Sequence, residues 1–296
     1  MPVPIRLRTS FDSWAAAGRR AQVSSRWTPA LWLKYLPEHR SLFERLGTEP
    51  VSRQVATSWA RQIRDASSAL DAFIVAMIWG YGPVGYGPYR TARVIAATPH
   101  FPDVVYDIAE VARTQGGVAA YRYVSQRRSS DPGFLKHLGP AFGTKYIYFA
   151  TKAVSDRPTP VMDAIVQRWF RTNMPSVPLT LDWSRPSSYE ALVAHLDLWA
   201  AELSTAEAPV RVDDVEYLIF ADQATSEGSG EWSETWAGTV AEWSGVRPKP
   251  ERTESAIDLL TRLEDTLARR GKAAEAATHL MALYALVADS SGERRG

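Results

Sequence analysis

The sequence predicts an all-α protein. Three observations carry that expectation: apolar residues recur at helical spacing along most of the chain, caps and breakers stand where helices should start and stop, and no hairpin dipeptide lies between alternating strands. With 296 residues, 45% of them hydrophobic, the chain can bury one large core or two smaller ones.

Residues 1–57 read as an N-terminal extension packed on the core, of which 1–50 are rich in Trp and Arg and irregular. Within it WTPALWLKYL gives one helix, with Thr28 as cap and Pro29 in the first helical position. From Ser58 to Trp79 a single helix is expected, on the spacing of Ile63, Leu70, Phe73, Ile74, Met77 and Ile78. It stops at WGYGPVGYGPYR, where four glycines and two prolines call for special backbone angles or close approach to a ligand. TARVIAA begins the next helix, and PDVVYDIAEVART runs from Pro102 to a stop at Gly116 and Gly117, followed by VAAYRYVSQRR. Asp131 and Pro132 cap a short helix, DPGFLKHL. The helix KYIYFATKAV, the loop SDRPTPVM and the helix DAIVQRWFRT complete a core over 58–172.

A second helical subdomain, 173–222, opens with a linker over 173–188 and continues with YEALVAHLDLWAAEL and VDDVEYLIFADQ. Residues 223–296 begin with a Ser/Gly-rich break and end in a helical pair that turns at Gly271, with Leu259, Leu260, Leu263 and Leu267 on one face.

The absence of cysteine excludes disulfides, thiolate metal sites and iron–sulfur clusters. His100, His137, His195 and His279 show no ligand spacing, so no metal is expected. MPVPIRLRTSFDSW lacks an apolar signal core, and AFIVAMIWG is too short to span a membrane, so a cytoplasmic monomer without a membrane partner is expected. Charge is divided unevenly. Residues 1–173 carry 23 Lys and Arg against 12 Asp and Glu, whereas 174–296 carry 11 against 21. A basic, Arg-dominated half suits phosphate contact in a nucleic acid; the alternative is that the two halves attract each other.

One stretch joins turn chemistry to a reactive side chain. In LGPAFGTKYIYFATKA, Gly139, Pro140 and Gly143 make a tight turn just before Lys145. Such a turn presents backbone N–H groups and a helix N-terminus, a surface that holds phosphate. Taken alone it is also an ordinary helix–turn–helix corner with an exposed lysine. Asp163 follows 18 residues later, at the start of another helix, one helix and one loop away. A carboxylate there is kept ionised by the helix dipole, and a lysine in a partly buried basic site is a nucleophile. Together they suit a reaction that develops cationic sugar character: Asp163 stabilises it and Lys145 traps C1′.

The segment LGPAFGTKYIYFATKAVSDRPTPVMD resembles the helix-hairpin-helix DNA glycosylases of the 8-oxoguanine type, where a Leu-Pro-Gly-Val-Gly hairpin precedes a catalytic lysine and a Pro-Val-Asp segment supplies a catalytic aspartate. The resemblance covers roughly residues 60–222 and is dense over 135–171. It implies an all-helical fold, double-stranded DNA bound through Gly139, Ala141 and Gly143, a flipped-out base, and in many members a monovalent cation at the hairpin, with no other cofactor. Lys145 and Asp163 take the catalytic roles. GPYRTARVI resembles the segment that fills the gap left by the base, which implies Tyr89, Arg90 and Arg93 as further DNA contacts. DVEYLIFAD resembles the pocket-lining helix, with Glu216 at the base edge, Phe220 stacking on the base, and Phe149 where the repair enzymes carry a pocket cysteine.

The departures bear on substrate. Ala141 replaces a hairpin glycine, Met162 adds a residue before the aspartate, and Glu216 stands in place of a glutamine. A carboxylate accepts hydrogen bonds, and its natural base-edge partner is an exocyclic amine such as cytosine N4. The expectation is a glycosylase acting on a modified base; one branch resembling this family serves in defence against phages whose DNA carries glucosylated hydroxymethylcytosine, so the resemblance implies that base as the leading substrate. Repair of 8-oxoguanine or another lesion, and non-catalytic helix-hairpin-helix DNA binding, are the alternatives.

Overall fold

α5 (Ala66–Tyr81) organises the molecule because its sequence leaves it no polar face. From Ala72 to Trp79 every residue is buried, as expected of a helix that is apolar all round. The computed structural model describes residues 1–228 and 232–237, and among these it contains helices and turns with no β-strand, only one isolated bridge between Ser25 and Val51. Before α5 come α1 (Ile5–Ala16), α2 (Pro29–Tyr35), α3 (Arg40–Leu46) and α4 (Arg53–Arg61). After it come α6 (Gly87–Ala97), α7 (Phe101–Gln115), α8 (Gly117–Ser130), α9 (Pro140–Lys152), α10 (Ala164–Asn173), α11 (Pro186–Leu203) and α12 (Val212–Ser226). α4, α6, α7 and α9 pack directly on α5, and α10, α11 and α1 gather around α12. Among the described residues no helix is long and apolar enough to cross a membrane.

The all-α expectation holds, while several boundaries move for identifiable reasons. The helix expected from Ser58 to Trp79 is two, since Asp65 and Ser68 form a capping box: the Asp65 carboxylate takes the Ser68 N–H at 2.8 Å and Ser68 Oγ takes the Asp65 N–H at 3.1 Å. Residues 1–50 hold α1 and α3 as well as α2, and α1 docks on α12 through the Arg6–Asp222 ion pair, 2.6 Å. The short helix expected over DPGFLKHL is instead a series of turns. Leu135 and His137 adopt positive φ, 49° and 73°, which no α-helix tolerates, and Arg128 Nη1 donates to the Phe134 and Leu135 carbonyls at 2.7 and 2.9 Å.

α9 starts at Pro140, five residues ahead of Lys145, with Gly139 as its N-cap. Lys145 therefore sits on the second turn of a helix and not in the loop before it. Gly143 lies inside the first turn, where a Cβ would stand 2.3 Å from the Trp183 ring. Trp183 Nε1 in turn donates to the Leu138 carbonyl at 2.8 Å. α11 likewise begins earlier than expected, at Pro186 in the first helical position. The expected tail helices with Leu259, Leu260, Leu263 and Leu267 lie outside the described residues.

Candidate active site

Three helices and one extended segment converge on Lys145. Its ammonium lies 2.9 Å from Asp163 Oδ2, and both side chains are nearly buried, at 9% and 12% exposure. Lys145 comes from α9; Asp163 is the N-cap of α10, its other oxygen accepting the Ile165 and Val166 N–H groups at 3.0 and 3.1 Å. The neighbouring residues fix the pair. Thr144 Oγ1 accepts the Met162 N–H at 3.1 Å and donates to the Pro140 carbonyl at 2.8 Å, while Tyr189 donates to the Pro160 carbonyl at 2.8 Å. Thr144 and Met162, the residues preceding the two partners, are thus bonded to each other, and the extra Met162 leaves Asp163 within reach of the lysine.

Burial pushes the Asp163 carboxyl upward, and the Lys145 charge and hydrogen bond together with the Val166 and Ile165 N–H groups outweigh it, holding the acid below the ordinary carboxylate range. Asp163 is accordingly an anion at neutral pH. Aromatic rings wall the lysine: its Nζ is 5.5 Å from the Phe142 ring and 5.8 Å from that of Trp79. Phe142 stacks on Tyr81 at 3.9 Å between centroids. Gly80 makes the approach possible, because a Cβ there would stand 2.6 Å from Lys145 Cδ.

A cavity of about 340 Å³ opens onto the pair. Its wall includes Gln22, Trp79, Ala141, Glu216, Phe220 and Trp232. Glu216 is buried and its Oε2 accepts from Arg53 Nη2 at 2.7 Å, while Arg53 Nε donates to Gln22 at 2.6 Å. The Arg53 guanidinium lies 5.2 Å from the Trp79 ring and 5.0 Å from that of Tyr148. Burial raises the Glu216 pKa, and the opposing pull of Arg53 does not cancel it. Phe220 is half-buried, with its ring edge-on to Trp232 at 6.0 Å.

The structure thus brings Lys145, Asp163, Ala141, Glu216 and Phe220 around one space. Phe149 is not part of that wall: it is buried in the core, 5.0 Å from Trp79, and acts on the cavity only by backing that ring. Tyr89, Arg90 and Arg93 are exposed on α6. Arg90 lies 4.9 Å over the ring of Tyr86, itself a cavity residue, and Arg93 is near enough to His137 to help burial depress that histidine's pKa. Gly139 and Gly143 shape the hairpin as N-cap and close-packed glycine. Carbonyls at the hairpin are already engaged by donors of the chain, Leu138 by Trp183, Gly139 by the Phe142 and Gly143 N–H groups, and Phe134 and Leu135 by Arg128. That is a poor ligand set for a monovalent cation.

Sequence reasoning missed Gln22, Arg53, Trp79, Gly80, Tyr86, Thr144 and Trp232. Gly80 and Tyr86 stood in the Gly-rich stretch already marked for close approach. Arg53 had no local signal, being 163 residues from Glu216 in the chain.

The all-helical fold thus holds a lysine on the first helix after the hairpin, ion-paired to a helix-capping aspartate beside an aromatic-walled cavity. Residues 18–220 match the family model described as "Putative 8-oxoguanine DNA glycosylase OGG-like protein". The match takes in more than half of the chain, which therefore belongs to this OGG-like family, with DNA as its substrate and glycosylase activity as its general chemistry. No curated protein and no solved structure gives a significant match.

Proposed function

We propose that the chain excises a modified base from double-stranded DNA, with Lys145 and Asp163 as its catalytic residues and the 340 Å³ cavity as the base pocket. The observation that carries this reading is the 2.9 Å contact between two buried, oppositely charged groups at the mouth of an aromatic-walled space. As the C1′–N bond breaks, its electron pair leaves with the base and positive charge develops on the sugar. Asp163, an anion held by three donors, stabilises that charge. Lys145 Nζ, having passed its ammonium proton to solvent, attacks C1′ to give a protonated aminal; that nitrogen then loses a proton, O4′ gains one and leaves as the sugar hydroxyl, and the C1′=N iminium remains.

Trp79 and Phe220 supply apolar surface against which the base stacks, and Tyr89, Arg90 and Arg93 on α6 contact the duplex beside it. Glu216 at the pocket wall favours a base whose edge carries an exocyclic amine. On that ground the substrate is a cytosine derivative; the glucosylated hydroxymethylcytosine of phage DNA is the leading candidate and places the enzyme in antiphage defence. Release of base from glucosylated duplex with 8-oxoguanine duplex left intact supports this substrate, and the reverse pattern refutes it. The chemistry is tested separately. Borohydride added during turnover cross-links protein to DNA through Lys145, and Lys145→Gln abolishes the cross-link; base release without any cross-link assigns the attack to water.

A further inference from the structure

A second cavity, of about 470 Å³, adjoins the base pocket. Gln22 and Arg53 line both spaces and are hydrogen-bonded to each other at 2.6 Å, so they form the partition. The wall of this second space carries six cations, Arg19, Arg20, Arg53, Arg61, Lys152 and Arg211, against two carboxylates, Asp213 and Asp214. Those carboxylates are already occupied. Asp213 accepts from Tyr148 at 3.0 Å, from Arg211 at 3.1 Å and from Lys152, and Asp214 pairs with Arg211 at 3.1 Å. Among the described residues Arg20 and Arg61 form no salt bridge, and Arg19 lies over the Phe11 and Trp14 rings while donating to the Pro209 carbonyl.

Cations gathered in a concave wall raise the local potential and repel one another until an anion enters. Arginine forks are suited to oxyanions, which accept two parallel N–H bonds. Gln22, Ser52, Gln54 and Thr57 add neutral polar groups to the same wall, and Trp14 and Tyr217 bound it. None of the chemistry assigned to Lys145 and Asp163 uses this space.

We propose that the second cavity is an anion subsite for a phosphate group, with Arg20 and Arg61 as its principal charges and the Arg53–Gln22 partition linking it to the base pocket. It rests on the reading that the neighbouring cavity receives the extruded base. Two sources bring the same chemistry to it: a backbone phosphate next to the extruded nucleotide, or an anionic substituent on the base itself.

Calorimetric titration of the full chain with inorganic pyrophosphate at low salt tests the site. Binding is expected, weakened at least tenfold in Arg20→Ala/Arg61→Ala and retained in Lys145→Gln. Both arginines of the double variant are exposed, so its thermal melting should match the parent and certify the fold. No detectable binding, or equal affinity in the double variant, overturns the proposal. The salt dependence of duplex binding then separates the sources. A log–log slope shallower by about two in the double variant assigns the anion to the DNA backbone. An unchanged slope, with tighter binding by the parent alone of a duplex bearing a phosphorylated base substituent, assigns it to the base; neither result overturns the site. Pyrophosphate binding needs no base release, so this test and the glycosylase test fail independently.

Discussion

Lys145 with Asp163 and Arg53 with Glu216 are two buried ion pairs facing one cavity, at 2.9 and 2.7 Å, yet they are assembled in contrasting ways. The first joins residues 18 apart, through one helix and one loop, and gives its carboxylate a lysine and two helix N–H groups. The second joins residues 163 apart, α4 to α12, and gives its carboxylate a single guanidinium N–H in a setting where burial dominates. The outcome is one carboxyl held below its ordinary pKa and another raised above it in the same space. Both carboxylates are buried, so it is the partners around each, and not burial itself, that set the direction in which it titrates.

The largest expected effect separates the pairs by stability. Arg53→Ala leaves Glu216 buried without its partner and also removes the Gln22 contact, so chemical denaturation should show a loss of about 3–5 kcal/mol. Arg53→Ala/Glu216→Gln should recover much of it; no recovery would mean that Arg53 acts through ring packing and not through charge. Next is the approach to the lysine. Gly80→Ala displaces the Lys145 stem and should slow base release by roughly 100-fold, a misplacement effect, with a much smaller change in melting temperature.

These predictions lean on residues that differ in how far the chain announces them. The hairpin, Lys145 and Asp163 were legible because each rests on local chemistry: glycine and proline at a turn, an acid at a helix start, a short return loop. Helix identity was legible for the same reason, through periodicity. The break at Asp65 escaped because Ile63 and Leu70, seven residues apart, keep helical spacing across its capping box, and the turns over 131–137 escaped because Arg128, on the preceding helix, satisfies the Phe134 and Leu135 carbonyls. Phe149 took a pocket role from the resemblance alone, and packing puts it behind Trp79. Arg53 is the deeper omission, since an ion pair between α4 and α12 leaves no trace in either helix alone.

Smaller effects sharpen the contrast. Thr144→Val cuts the tie between α9 and Met162 and should cost about 1–3 kcal/mol, with base release falling further than stability if the tie positions Asp163. Acid and base sides should then differ in sign. Asp163 titrates below its unfolded value of 3.8 when folded, so the unfolded chain binds the proton first and stability falls as pH drops below about 4; Asp163→Asn flattens that fall. Glu216 titrates above its unfolded 4.5, so its contribution is lost as pH rises from there, and Glu216→Gln removes that loss. Urea melts across pH 3–7 read both slopes.

The central claim is that Asp163 works on the sugar during base release and is not merely the cap of α10. Single-turnover base release, measured with parent and Asp163→Asn over duplexes carrying different modified bases, tests it most directly, because asparagine keeps an oxygen for the Ile165 and Val166 N–H groups. At least one base should be released by the parent and about 100-fold or more slowly by the variant, with duplex affinity within a few-fold. Release at equal rates by both proteins, or by neither from any duplex, would contradict it.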